Sequence, residues 1–165
     1  MEALIRELTL AYTQAGLDCG TGLLPPAADA DIDRVAGEIG QPVHDDLRAV
    51  WRVHGGQPYF GVGVSGLFGR HRLLSPAEAV AEYQLIWECE FETPPRGAAP
   101  RLCGRPVLEL VPFASWDAYT LCAHAATGEV WELDRGLMIR HRPSIEVVLN
   151  EILAAVRAGV EEPGL

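Results

Sequence analysis

The chain contains no lysine; every one of its 13 basic residues is an arginine. That bias is what GC-rich coding produces, and it fits a bacterial source. Positive charge is scarce overall, because 23 aspartates and glutamates leave a formal net charge of −10. Nucleic acid and anionic membranes both need a basic face, so the balance argues against either as a partner. It suits a cationic partner, or serves solubility alone. Long apolar runs are missing too, none approaching the ~20 residues that cross a bilayer. The opening "MEALIRELTL" is acidic and amphipathic, unlike a secretory leader, and a cytoplasmic chain is the expectation. Paired cysteines are also absent. Cys19, Cys89, Cys103 and Cys122 stand far apart with no C-x-x-C among them. A zinc site wants close paired ligands, and a disulfide framework wants a small secreted chain. Unpaired, mostly buried thiols are expected, with no metal and no cofactor.

What is present is a chain of 165 residues, 48% of them apolar, enough for one domain with a sizeable core. Glu2 to about Ala15 predicts a helix with Leu4, Ile5, Leu8 and Tyr12 on one face. "GLDCGTGLLPPAA" is a turn-rich connector. Asp29 to Ile39 predicts a second helix, facing inward through Ile32, Val35, Ala36 and Ile39 and stopped by Gly40. Asp45 to His54 predicts a third, with Gly55 as a left-handed residue just past its end. In "SPAEAVAEYQLIWECE", Ser75, Pro76 and Glu78 form a helix start with a capping box, and Val80, Tyr83 and Trp87 share a face.

The proline-rich stretch from Glu92 to Pro106 reads as a surface loop. "VLELVPF" then reads as a strand, "AYTLCAH" and "EVWEL" as a hairpin joined by "AATG", and "GLMIRH" as a further short strand. A last helix starts at Ser144, with Ile145, Val148, Leu149, Ile152 and Val156 as its apolar stripe. Helices first, a clustered antiparallel sheet and a closing helix make an α+β fold. The expected organisation is one domain over 1–165, with an N-terminal helix and connector in 1–23 and a core in 24–158.

The stretch "LRAVWRVHGGQPYFGVGVSG" poses a chemical question, since Gly61, Gly63 and Gly66 have G-x-G-x-x-G spacing beside His54. A dinucleotide loop needs a strand before those glycines and a helix opening after them, so that N–H groups meet the phosphates. Here a helix precedes and none follows before Ser75. Ser65 likewise lacks the strand and helix of a nucleophile elbow. His54, near a helix C-terminus, should favour its charged form. His44, His71, His124 and His141 show no metal-ligand spacing, and His71 and His141 each lie between two arginines. No catalytic residue emerges.

"PPAADADIDRVAGEIGQPVHDDLRAVWRVHGGQ" resembles the N-terminal signature of the SUKH superfamily, which comprises bacterial immunity proteins and fungal regulators of cell-wall glucan synthesis. Pro26, Ile32, Ile39, Gly40, Asp46, Leu47, Trp51, His54 and Gly55 carry the match. "RLLSPAEAVAEY", "LVPFASWDAYTLCAHAATGEVWEL" and "SIEVVLNEIL" follow in the family's order, so that the resemblance covers roughly 24–153. Val43-His44 replaces the usual Leu-Pro, Gly56 an asparagine-type turn residue, and Ala123-His124 a common aspartate. The resemblance implies a SUKH-like α+β domain and a non-enzymatic binding role. Its expected function is an immunity protein neutralising a cognate nuclease- or deaminase-type toxin. The alternative is a housekeeping adaptor or regulator of cell-wall synthesis or signalling.

A partner surface for a basic toxin should combine aromatic anchors with steering carboxylates. Trp116 and Asp117 in the loop "ASWDAY", Tyr59 and Phe60 past the third helix, and Glu88, Glu90 and Glu92 in "WECEFE" are the residues expected to form it.

Overall fold

Residues 1–17, 22–58, 66–90, 101–102, 105–106, 109–134 and 137–160 are described by the computed structural model, without the side chains of 87–90, 101–102, 105–106 and 137–139. Helices α1 (Glu2–Gln14), α2 (Asp29–Ile39) and α3 (Asp45–Val53) lead into strand β1 (Arg72–Leu73) and helix α4 (Pro76–Glu90). The strands β2 (Arg101–Leu102), β3 (Arg105–Pro106), β4 (Leu110–Trp116), β5 (Tyr119–His124), β6 (Val130–Asp134) and β7 (Leu137–Arg142) follow, and α5 (Ile145–Arg157) closes the fold. The fold is α+β. Its five-stranded sheet has the order β1-β4-β5-β6-β7 with antiparallel pairs throughout. No helix among the described residues is long and apolar enough to cross a membrane.

Local chemistry sets the helix ends. At the start of α4 the Glu78 N–H donates to Ser75 Oγ, while the Ser75 N–H donates to Glu78 Oε2 at 2.8 Å, the reciprocal pair of a capping box. Ser144 Oγ accepts from the Val147 N–H at the head of α5, and Gly40 takes φ +75° to end α2. Helix α3 ends differently from expectation. His54 is extended there, and Gly55 needs no positive φ. Gly55 is required instead by close approach: a Cβ would lie 2.5 Å from the Pro25 carbonyl oxygen, which accepts its N–H. The positive φ belongs to its neighbour Gly56, at +140°.

The sheet departs from expectation in three places. Strand β1 was not anticipated, because two residues carry no periodicity; it pairs with Ser115 and Ala114 of β4. The proline-rich stretch, expected to be all loop, contains the two-residue ladder of β2 and β3. Strand β4 runs on through Trp116, leaving Asp117 and Ala118 as a tight turn where a longer loop was expected. Pro112, unable to donate an N–H, lies at the register shift of β4, where a bulge tolerates it.

One core joins the sheet to α1, α2, α3 and α5. Ile5, Leu8 and Tyr12 of α1 and Val148, Leu149 and Ile152 of α5 belong to it, as do Leu47, Val50 and Trp51 of α3. Each such aliphatic side chain contributes ~1.5–3 kcal/mol relative to exposure. Two polar side chains inside are matched to the backbone. Trp51 Nε1–H donates to the Leu74 carbonyl at 2.8 Å, and Gln57 Oε1 accepts from the N–H groups of Leu67 and Leu73. Elsewhere, His44 Nδ1 accepts from the Asp46 N–H to cap α3, and Gly128 of the β5–β6 turn (φ +71°) abuts the same ring, so closely that a Cβ would lie 2.5 Å from it.

Candidate functional site

A cleft of about 420 Å³ opens where three backbone devices converge. The first is a tight turn over 68–71, closed by reciprocal backbone hydrogen bonds between Phe68 and His71, with Gly69 at φ +70°. It presents Arg70 at its tip and turns His71 inward. Gly66 backs the turn so closely that any Cβ would overlap the His71 carbonyl. The glycine of the G-x-G-x-x-G spacing that lies among the described residues thus serves backbone proximity; Gly61, Gly63 and Ser65 fall outside them.

The second device is the β4–β5 turn. Asp117 has φ +52°, an uncommon value for a residue with a side chain, which costs on the order of 1 kcal/mol or more. Trp116 and Tyr119 flank the turn as a cross-strand pair, and their rings stack at 5.5 Å with an 18° interplanar angle. The Arg70 guanidinium lies 5.1 Å from the Trp116 ring centroid, within cation–π range. Trp116 nevertheless remains 41% exposed, the one exposed Phe, Tyr or Trp among the described side chains.

The third is the bulge between Glu132 and Leu133, where β6 pairs first with Arg140 and then with Met138. Bulges re-aim side chains beside functional clefts. Here Glu132, 7% exposed, stands at the cleft floor with His71, 3% exposed. His71 Nε2 is 3.4 Å from Glu132 Oε1, within ion-pair range but not aligned as a hydrogen bond. Arg140 Nε is 3.7 Å from Glu132 Oε2, again too far to bond. Both ring nitrogens of His71 and Glu132 Oε2 are buried without a hydrogen-bond partner. Such groups cost ~1–3 kcal/mol each when left unmatched, and so mark a place worth explaining.

Of the residues expected to meet a partner, the structure brings Trp116 and Asp117 into this cleft. Tyr59, Phe60 and Glu92 lie outside the described residues, as do the side chains of Glu88 and Glu90 on α4. The surroundings of Trp116 also differ from the acidic patch expected: Arg70 and Arg140 line the cleft beside the two carboxylates. Sequence reasoning missed His71, Glu132 and Arg140. The bracketing of His71 by Arg70 and Arg72 had marked it only as unfit for metal. No serine, threonine or cysteine is among the described lining residues.

A second concavity, of about 480 Å³, lies between α2 and the start of α4, with Val35, Pro76 and Val80 as apolar walls and Arg34 and Glu38 at its rim. His54 stands at the C-terminal end of α3. Burial, and then the nearby Arg6 charge, push its pKa below the ordinary 6.5, against a raising contribution from its backbone hydrogen bond at Leu24. The expected charged form at a helix end is overturned, because desolvation outweighs the dipole. Cys122 is buried in the sheet, whereas Cys19, Cys103 and the side chain of Cys89 fall outside the described residues. Among the described residues no group of three or more His, Cys, Asp or Glu side chains is placed to hold a metal ion. In comparisons of sequence, no protein-family model and no curated protein matches the chain.

Proposed function

We propose that the chain is a non-enzymatic binding protein of the immunity type, acting in the cytoplasm by covering a cognate bacterial toxin domain. The observation that carries this reading is Trp116. An indole 41% exposed is held on a two-residue turn by Tyr119 and Arg70. Ordering an anchor before binding removes much of the entropy cost of association. Trp, Tyr and Arg are also the side chains enriched among interface hot spots, and all three meet here. The net charge of −10 would steer a basic partner, such as a nuclease or deaminase with a substrate cleft built for polyanions. The resemblance to the SUKH superfamily supports the same reading.

The test uses the toxin domain encoded beside this chain, with affinity, salt dependence and neutralisation measured. Trp116→Ala should weaken binding roughly tenfold or more, chiefly through faster dissociation. A Glu88/Glu90/Glu92→Gln triple variant should lose association rate and salt sensitivity. Unchanged neutralisation in both variants would place the contact elsewhere. If no neighbouring gene product binds, the adaptor or regulator of cell-wall synthesis or signalling takes precedence.

A further inference from the structure

Carboxylates are in surplus in this molecule, with 23 acidic residues against 13 arginines. Arg34, Arg48, Arg52, Arg72, Arg142 and Arg157 accordingly each hold a carboxylate oxygen within 3.2 Å. The two arginines of the Trp116 cleft do not. Arg70 contacts the indole and no described carboxylate, and Arg140 stays 3.7 Å from Glu132 without a hydrogen bond. Two guanidiniums without a hydrogen-bonded carboxylate beside one cleft, amid surplus acid, reflect a local arrangement rather than a shortage. Below them lie the unmatched nitrogens of His71 and the unmatched Glu132 Oε2, on side chains that are 4% and 9% exposed.

Unfilled hydrogen-bonding capacity describes the missing ligand. Arg70 and Arg140 have no hydrogen-bonded carboxylate, the buried His71 nitrogens have no hydrogen-bond partner, and Glu132 Oε2 has no donor. The geometry points to an acidic polypeptide segment as the occupant, its side-chain carboxylate meeting the Arg70–Arg140 rim and a backbone N–H meeting Glu132. This rests on the binding-protein reading and names what the partner inserts at the site. An entering lysine or arginine would meet the Asp117 and Glu132 carboxylates but leave the two guanidiniums without an acceptor. A neutral amide would fill hydrogen bonds but leave the arginine pair without its charge-assisted acceptor. Polyanions are opposed by the whole-molecule charge of −10, which a basic protein carrying one acidic residue at its contact does not suffer.

The experiment needs no toxin. Protein labelled with ¹⁵N-arginine is titrated with acetyl-Gly-Gly-Glu-Gly-Gly-amide, with its glutamine and lysine analogues, and with inorganic phosphate, while the arginine Nε–H signals are followed. The glutamate peptide should shift Arg70 and Arg140 saturably and leave Arg34 and Arg157 in place. The glutamine analogue should bind about tenfold more weakly, and the lysine analogue should leave the signals unmoved. Arg140→Gln, a change at a half-exposed side chain that spares the core, should erase the preference for glutamate over glutamine. Equal shifts at Arg34, tighter binding of the lysine analogue, or phosphate binding as well as the peptide would each overturn the assignment. Peptide binding in a protein that ignores its neighbour-encoded toxin keeps this site and removes the immunity reading. A silent titration in a protein that does bind the toxin does the reverse.

Discussion

Two tryptophans mark two regions built on opposite principles. Trp51 is fully buried, and its indole N–H is spent on the Leu74 carbonyl. Around it even a buried amide, Gln57, takes two backbone N–H groups. Trp116 stands at the sheet's turn, half in solvent, beside a histidine and a glutamate whose polar atoms go unmatched. The first region gains stability by matching the polar groups of Trp51 and Gln57 to backbone partners. The second gives some up, and in natural proteins polar groups left open at a cleft are commonly there for a ligand. The contrast separates the part that holds the fold from the part available to a partner.

Perturbing the first region should cost most. Trp51→Ala should lower the free energy of unfolding by about 3–5 kcal/mol in urea titrations, since it leaves a large cavity and an unpaired carbonyl. Near-native stability would remove the distinction between the two rings. Gln57→Leu should cost about 2–4 kcal/mol by stranding the Leu67 and Leu73 N–H groups in the core. Ser75→Ala, which removes one arm of the capping box, should cost about 1 kcal/mol. Trp116→Ala should change stability by less than about 1 kcal/mol while weakening binding, because it forfeits only a partly exposed stack and a cation–π contact.

The smallest effect is a pH dependence. The folded pKa of His54 lies below 6.5, so near pH 6 the unfolded chain holds more protons than the folded one. Stability present above 6.5 is therefore lost as the pH falls through the depressed folded value. Unfolding measured from about pH 7.5 down to about pH 5.5 should fall less steeply in His54→Gln than in the parent chain. Identical slopes would mean that desolvation does not control this histidine.

Features that depend on a few neighbouring residues were legible in the sequence. Ser75 with Glu78, Ser144, and Gly40 each announce a helix end by chemistry within one turn of chain, and "AATG" announces a hairpin in the same way. Features that depend on pairing between distant residues were not. Strand β1 exists because β4 offers an edge, and the polar floor of the cleft exists because a turn at 68–71 meets the bulge in the β6–β7 pairing. Neither His71 nor Glu132 has a sequence neighbour that hints at the other. Trp116 lay between these cases: its flanking polar residues suggested exposure, but not the stack on Tyr119 or the arginine above it.

The contact between Gly128 and His44 ties helix to sheet. The imidazole that caps α3 stands against a turn formed far downstream, and that turn permits no side chain there. The cap worth about 1 kcal/mol to an isolated helix therefore becomes a coupling energy shared by two elements. The helix start and the hairpin should therefore melt as one cooperative unit.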